Sequence, residues 1–177
     1  MRKLIVSSLV SLDGIYGDPQ RWALEYFDEQ AAEASLAVLL ASDAMLMGRN
    51  AYGYLAPAWS AGSGPYLARI NEMRKYVFSA TLAAADWPNS QIISSDPVAA
   101  VRELKDQGDG HLVLYGYTRL AQTLLEHDLV DELNFGIHPV MLGGGAAVAR
   151  GGKRTNLRLA SVSQRGNGVV TVSYTRA

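Results

Sequence analysis

The chain has 177 residues, 49% of them apolar, and a formal net charge of −1. That length suits one domain over residues 1–177 with a substantial core, and the near-neutral balance excludes a disordered chain or one that neutralises nucleic-acid phosphates in bulk. The absence of cysteine excludes disulfides, thiolate metal sites and a cysteine nucleophile.

In chain order, the N-terminal "MRKLIVSSLVSLDG" mimics a secretion signal only briefly. Its apolar part is short, holds three serines and runs into Asp13. No apolar run approaches the roughly 20 residues of a membrane helix, so the expected compartment is the cytoplasm. Residues 3–11 ("KLIVSSLVS") predict a strand, and "LDGIYGDP" is turn chemistry. From Asp28 to Ser42, alanine, leucine and glutamate dominate. Apolar residues recur at Ala34, Val38 and Ala41, which predicts a helix capped by Asp28 or a near neighbour. Residues 44–47 predict a short buried strand broken by Gly48. "NAYGYLAPAW" predicts one short helix stopped before Pro57, and "GSGPY" a loop. "KYVFSATL" reads as a strand ending near Ser79, and "SQIISS" as another. "DPVAAVRELKDQ" is a marked helix, with Asp96 at its cap, Pro97 in its first turn and Gly108 just past its end. "HLVLYG", "RLAQTLLEHDL" and "VDELNFGIHPV" then give strand, helix and strand. The tail alternates on both sides of "GNG", the mark of a terminal hairpin.

The resulting order, β-α-β-α-β-β-α-β-α-β and a hairpin, implies a mainly parallel α/β sheet with helices on both faces. Sites in such sheets lie at the carboxyl ends of strands. Four segments therefore stand out: 13–17, 48–52, 79–81 and 116–120. The turn at Gly116 leads into a helix at Thr118. It reads either as a plain β–α connection or as a phosphate cradle with Thr118 and Arg119. Gly48 would let a ligand approach the backbone, and Arg49 is either a surface cation or one arm of a phosphate fork shared with Ser79 and Thr81. Asp13 and Gly14 fit a tight turn, and a glycine-bounded loop there could also close over a ligand. Trp22, Tyr26 and Phe27 are core aromatics or the wall of a site for a planar molecule. His111, His127 and His138 lack metal-ligand spacing, so no metal is expected. No nucleophile elbow is present, and "MLGGGAAV" reads as a structural turn.

In sequence order, "SLDGIYG", "LMGRNAY", "YVFSATL" and "LVDELNFGIHPVMLGGG" resemble the dihydrofolate reductase-like superfamily over nearly the whole chain. The branch is that of the RibD C-terminal, riboflavin-biosynthesis reductase domains. The resemblance implies a three-layer fold, NADPH across the carboxyl edge and a homodimer. It also implies hydride transfer to a small planar pterin-, pyrimidine- or imine-like metabolite, with no membrane or nucleic-acid partner. Arg49 and Ser79 would hold the adenosine 2′-phosphate end, with Gly48, Asn50 and Ala80 also among the cofactor-binding residues. The pyrophosphate would sit on Gly116, Tyr117, Thr118, Arg119 and Leu120, with Tyr16 near the nicotinamide. Trp22, Tyr26, Phe27 and Met47 would border the substrate, and Asp13 and Asp28 are the candidate catalytic carboxylates. Tyr117 stands where the family usually has a small residue, and Ala51 where it often has threonine. Those departures favour a second expectation, a non-catalytic binding or scaffold protein on the same fold.

Overall fold

The computed structural model describes residues 2–148 and 154–177. β1 (Leu4–Ser11) leads through two 3₁₀ turns (Pro19–Arg21 and Leu24–Tyr26) to α1 (Glu29–Leu40) and β2 (Ser42–Gly48). Next come α2 (Arg49–Trp59), α3 (Pro65–Glu72), β3 (Arg74–Phe78) and β4 (Ser90–Ile93). α4 (Pro97–Lys105), β5 (His111–Tyr115), α5 (Arg119–Glu126), β6 (Glu132–His138), β7 (Leu157–Gln164) and β8 (Val170–Arg176) complete the set. The eight strands form one sheet in the order β4-β3-β2-β5-β1-β6-β8-β7. From β4 to β6 every pairing is parallel, and β8 pairs antiparallel with both β6 and β7. Among the described residues no helix is long and apolar enough to cross a membrane.

Strand alternation sorts the core into two layers. Leu4, Val6, Leu46, Leu112 and Leu114 face one side, where Val98, Val101 and Leu104 of α4 and Leu120 and Leu124 of α5 cover them. Met45, Met47, Val77 and Val113 face the other, under Leu39 of α1, Leu55 of α2 and Ile70 of α3. This is the three-layer arrangement expected from the sequence.

Two local expectations are corrected. α2 does not stop before Pro57 but runs to Trp59. The proline lies in the last turn, where it forfeits a single backbone bond, while buried Tyr52 and Leu55 hold the helix down. The segment read as a loop at 62–66 becomes α3 from Pro65 onward, with Gly64 as cap and Pro65 at the first position. Ile70 is fully buried, and Arg69 donates to the carbonyls of Leu39 and Ser42, tying α3 to the end of α1. In the terminal hairpin, β8 lies between β6 and β7. The outer strand is β7, exposed at every position.

Candidate functional site

At the carboxyl edge, a cleft of about 560 Å³ opens over the ends of β2, β3 and β4. Three helices begin on its wall, with first residues Arg49, Pro97 and Arg119. Helix starts present unpaired N–H groups and a partial positive charge, so those of α2 and α5, which no carboxylate caps, favour an anion on this cleft. Arg49 and Arg119 are both exposed. Arg49 Nη1 donates to Thr81 Oγ1 at 2.8 Å, a neutral partner that an anion can replace. Ser79 Oγ accepts from the backbone N–H groups of Thr81 (3.2 Å) and Leu82 (2.9 Å), so its own proton remains available to a ligand.

The caps on the cleft differ in strength. Asp96 accepts from Ala99 N at 2.8 Å and caps α4 tightly, whereas Thr118 lies 3.5 Å from Ala121 N and caps α5 loosely. Gly116 has φ +86°, which favours glycine. Its N–H bonds Ser7 O at 2.8 Å, and the next N–H, of Tyr117, bonds Ser8 Oγ at 3.1 Å.

Gly48, Arg49, Asn50, Ser79, Ala80, Thr118, Arg119 and Leu120 thus line one cleft. Ser94, Ser95, Asp96 and Pro97 join them, although sequence reasoning had not placed them at the site. The available signal was the same one used elsewhere: polar residues immediately after a strand and before a helix. Gly116 and Tyr117 do not line the cleft. The Tyr117 ring turns away and packs edge-on against Tyr16 and Phe135, each at 5.7 Å between centroids. Burial pushes its phenol pKa up.

Segment 11–17 lies beyond the cleft and is knitted to the glycine segment 142–148. Leu12 N bonds Val140 O, Tyr16 N bonds Ala146 O, Val148 N bonds Gly14 O, and Ile15 bridges Ala147. Gly145 has φ +133°, and a side chain there would meet Ile15 at 2.9 Å, so the close approach requires glycine. Asp13 accepts from Ser11 Oγ (2.6 Å), Gly143 N (2.7 Å) and Leu142 N (3.1 Å). These bonds, led by the serine hydroxyl, pull its pKa down to about 2. Asp28 caps α1 through Ala31 N at 2.8 Å, and its other oxygen accepts from Asn167 Nδ2 at 2.8 Å. Each carboxylate expected to serve catalysis is therefore engaged in holding the backbone together.

On the far side of segment 11–17, buried Trp22 donates to Gly17 O at 2.9 Å. Trp22 and Tyr26 meet the His138 ring edge-on at 5.3 and 5.4 Å. His138 donates from Nδ1 to Gly136 O at 2.8 Å, and burial holds its pKa below the usual value. Its role was not legible from spacing, because it stands alone in sequence. Phe27 is exposed, and Met47 is sealed in the core under α1–α3.

The sheet order, its terminal hairpin and a carboxyl-edge cleft describe a dihydrofolate reductase-like α/β protein. Residues 2–171 match the family model described as the RibD C-terminal domain, and the chain belongs to that family. A Bacillus subtilis (strain 168) relative, "Uncharacterized protein YyaP", is 35% identical over 107 residues, 59% of this chain and 56% of that protein. A putative riboflavin biosynthesis protein from Shewanella sp. PV-4 superposes with a TM-score of 0.81 at 19% identity, covering 99% of both chains. A diaminohydroxyphosphoribosylaminopyrimidine deaminase/5-amino-6-(5-phosphoribosylamino)uracil reductase from Thermotoga maritima gives 0.70 at 14% identity. There the match covers 99% of this chain and 57% of the longer one.

Proposed function

We propose that the protein is an NADPH-dependent reductase of small planar metabolites, with the cofactor's phosphates in the carboxyl-edge cleft. The observation that carries this reading is the convergence of the starts of α2 and α5 and two exposed arginines on one cleft. That donor set suits a phosphate-rich ligand. Arg49 and Ser79 would hold the 2′-phosphate end, and Thr118 and Arg119 the pyrophosphate at the start of α5. When bound, the reduced nicotinamide supplies a hydride. The chain would supply orientation and exclusion of water: Tyr16 beyond the cleft, Trp22 and Tyr26 as a substrate wall, and Asp13 as the tether of the segment between them. Family membership and the reductase named in the Thermotoga protein support a pterin-, pyrimidine- or imine-like substrate.

Melting temperatures with NADPH, NADH and neither test this. At about 100 times the dissociation constant, the preferred cofactor stabilises the protein by roughly 2.7 kcal/mol. Arg49→Ala is expected to weaken NADPH about tenfold or more and NADH little, since a charge-assisted bond contributes about 1.5–3 kcal/mol. Equal loss for both removes Arg49 from the 2′-phosphate role. A second reading, a binding protein without turnover, is favoured by the structural engagement of both Asp13 and Asp28. Tight NADPH binding with no oxidation across pterin, pyrimidine and imine substrates would select it.

Self-association is proposed through β7, whose Leu157, Leu159 and Val162 are 37%, 52% and 56% exposed on an open strand edge. Wild type is expected to sediment as a dimer and the Leu159→Lys, Val162→Lys double variant as a monomer.

A further inference from the structure

Segment 11–17 is held toward the glycine segment and toward α5, and these two holds differ in strength. Toward the glycine segment it has several backbone bonds and the Asp13 carboxylate. Toward α5 it has one side chain. Gln122 lies one turn into α5, where its N–H bonds the Thr118 carbonyl at 3.0 Å. Its Nε2 donates both to Tyr16 Oη and to the Tyr117 carbonyl, each at 3.1 Å. The Tyr16 ring then stands edge-on to Tyr117 at an interplanar angle of 77°. Tyr117 cannot retreat readily, because its N–H is bonded to Ser8 Oγ and Phe135 backs its ring. The Tyr16 hydroxyl is therefore held by that amide, and its ring by the edge of Tyr117. Thr118 and Thr123, which flank Gln122 on α5, both line the anion cleft, so the amide that holds Tyr16 springs from a helix of the cleft wall.

We propose that Gln122 is a positioning residue for cofactor binding: by bridging Tyr16 and the Tyr117 carbonyl, it fixes the ring against which the half of a dinucleotide remote from its adenosine end is placed. This rests on the NADPH reading above and deepens it. The adenosine end, in contact with Arg49 and Ser79, does not depend on Gln122. The amide thus governs how much the nicotinamide half adds to affinity. Gln122→Ala and Tyr16→Phe remove the same hydrogen bond from opposite ends, so their effects overlap and do not add.

The test compares NADPH with adenosine 2′,5′-bisphosphate, a fragment lacking the nicotinamide half, on wild type, Gln122→Ala, Tyr16→Phe and the double variant. Melting temperatures confirm folding. Each single change is expected to weaken NADPH about three- to tenfold, the worth of one hydrogen bond, with fragment affinity held within about twofold. The double variant is expected to match Gln122→Ala, which already lacks the bond that Tyr16→Phe removes. Equal loss on both ligands, no loss on NADPH, or fully additive losses overturns the role of Gln122. Failure of wild type to bind either ligand overturns the NADPH reading, and this inference with it. Tyr16→Phe keeps the proposal open to refutation should Gln122→Ala fail to fold.

Discussion

The two edges of the sheet handle charge in opposite ways. At the amino edge, three cations are buried: Arg2 (7% exposed), Lys105 (4%) and Lys75 (0%). Arg2 donates to the carbonyls of Gly110, Leu104 and Gln107 and pairs with Asp43. Lys105 pairs with Asp131 and donates to Leu129 O. Among the described residues Lys75 has no carboxylate partner. It donates to Asn71 O, Met73 O and Pro88 O and lies 4.9 Å from the Trp87 ring centroid. At the carboxyl edge, Arg49 and Arg119 are exposed, and among the described residues Arg49 is held by a threonine hydroxyl alone. Cations whose hydrogen-bonding capacity is consumed internally act as fasteners, whereas those left loosely held can receive a ligand. Position relative to strand direction separates the two groups, not residue type.

The strongest way to break that contrast is Arg2→Ala. It leaves three carbonyls and the Asp43 carboxylate without their donor, and a loss of about 3–4 kcal/mol in chemical denaturation is expected. Cofactor affinity of the folded variant should stay within about twofold. A mild stability loss, or a selective loss of binding, would erase the distinction between the edges.

Lys75 sharpens it through pH. Burial pulls its pKa down to about 8 in the folded protein. Between that value and the ordinary lysine pKa near 10.4, the unfolded chain carries a proton that the folded chain does not. Stability contributed by this group therefore rises as pH increases through the window, by no more than roughly 3 kcal/mol, and is level below pH 8. Subtracting the pH profile of Lys75→Met from that of wild type isolates the effect, and a flat difference between pH 8 and 10.5 would refute it.

The smallest effects concern the caps on the cleft. Asp96→Ala is expected to cost about 1 kcal/mol, while Thr118→Ala, with its longer bond, costs only about 0.5 kcal/mol. Equal costs would mean that the helix engages the Thr118 hydroxyl no less firmly than the Asp96 carboxylate.

Much of the scaffold was legible because local chemistry and tertiary context agree in it. Asp96, Pro97 and Gly108 bracket α4 as their cap chemistry predicts, and "GNG" sits at the hairpin turn. α3 was hidden because Gly62, Ser63 and Gly64 dominate the reading just before Pro65 opens a helix held by tertiary contacts with α1. The cleft was legible through the strand-end rule, which found Arg49, Ser79 and Thr118. The same rule points to Ser94 and Ser95, but there the strong helix start at Asp96 and Pro97 masks the strand end. The buried cations could not be read at all, since a lysine beginning a strand looks the same whether it reaches water or three carbonyls. Gln122 was equally silent, because its partners lie far away at Tyr16 and close by in a backbone carbonyl.

The turn of the terminal hairpin has one more consequence. Asn167 Nδ2 reaches the Tyr26 carbonyl at 2.7 Å and the Asp28 carboxylate at 2.8 Å, across 139 residues in the second case. Removing β7 and β8 would therefore do more than narrow the sheet, because the first helix would lose the partner of its own cap. A two-fragment version of this protein has a built-in address: the hairpin, supplied separately, can recognise its place by that amide as well as by pairing with β6.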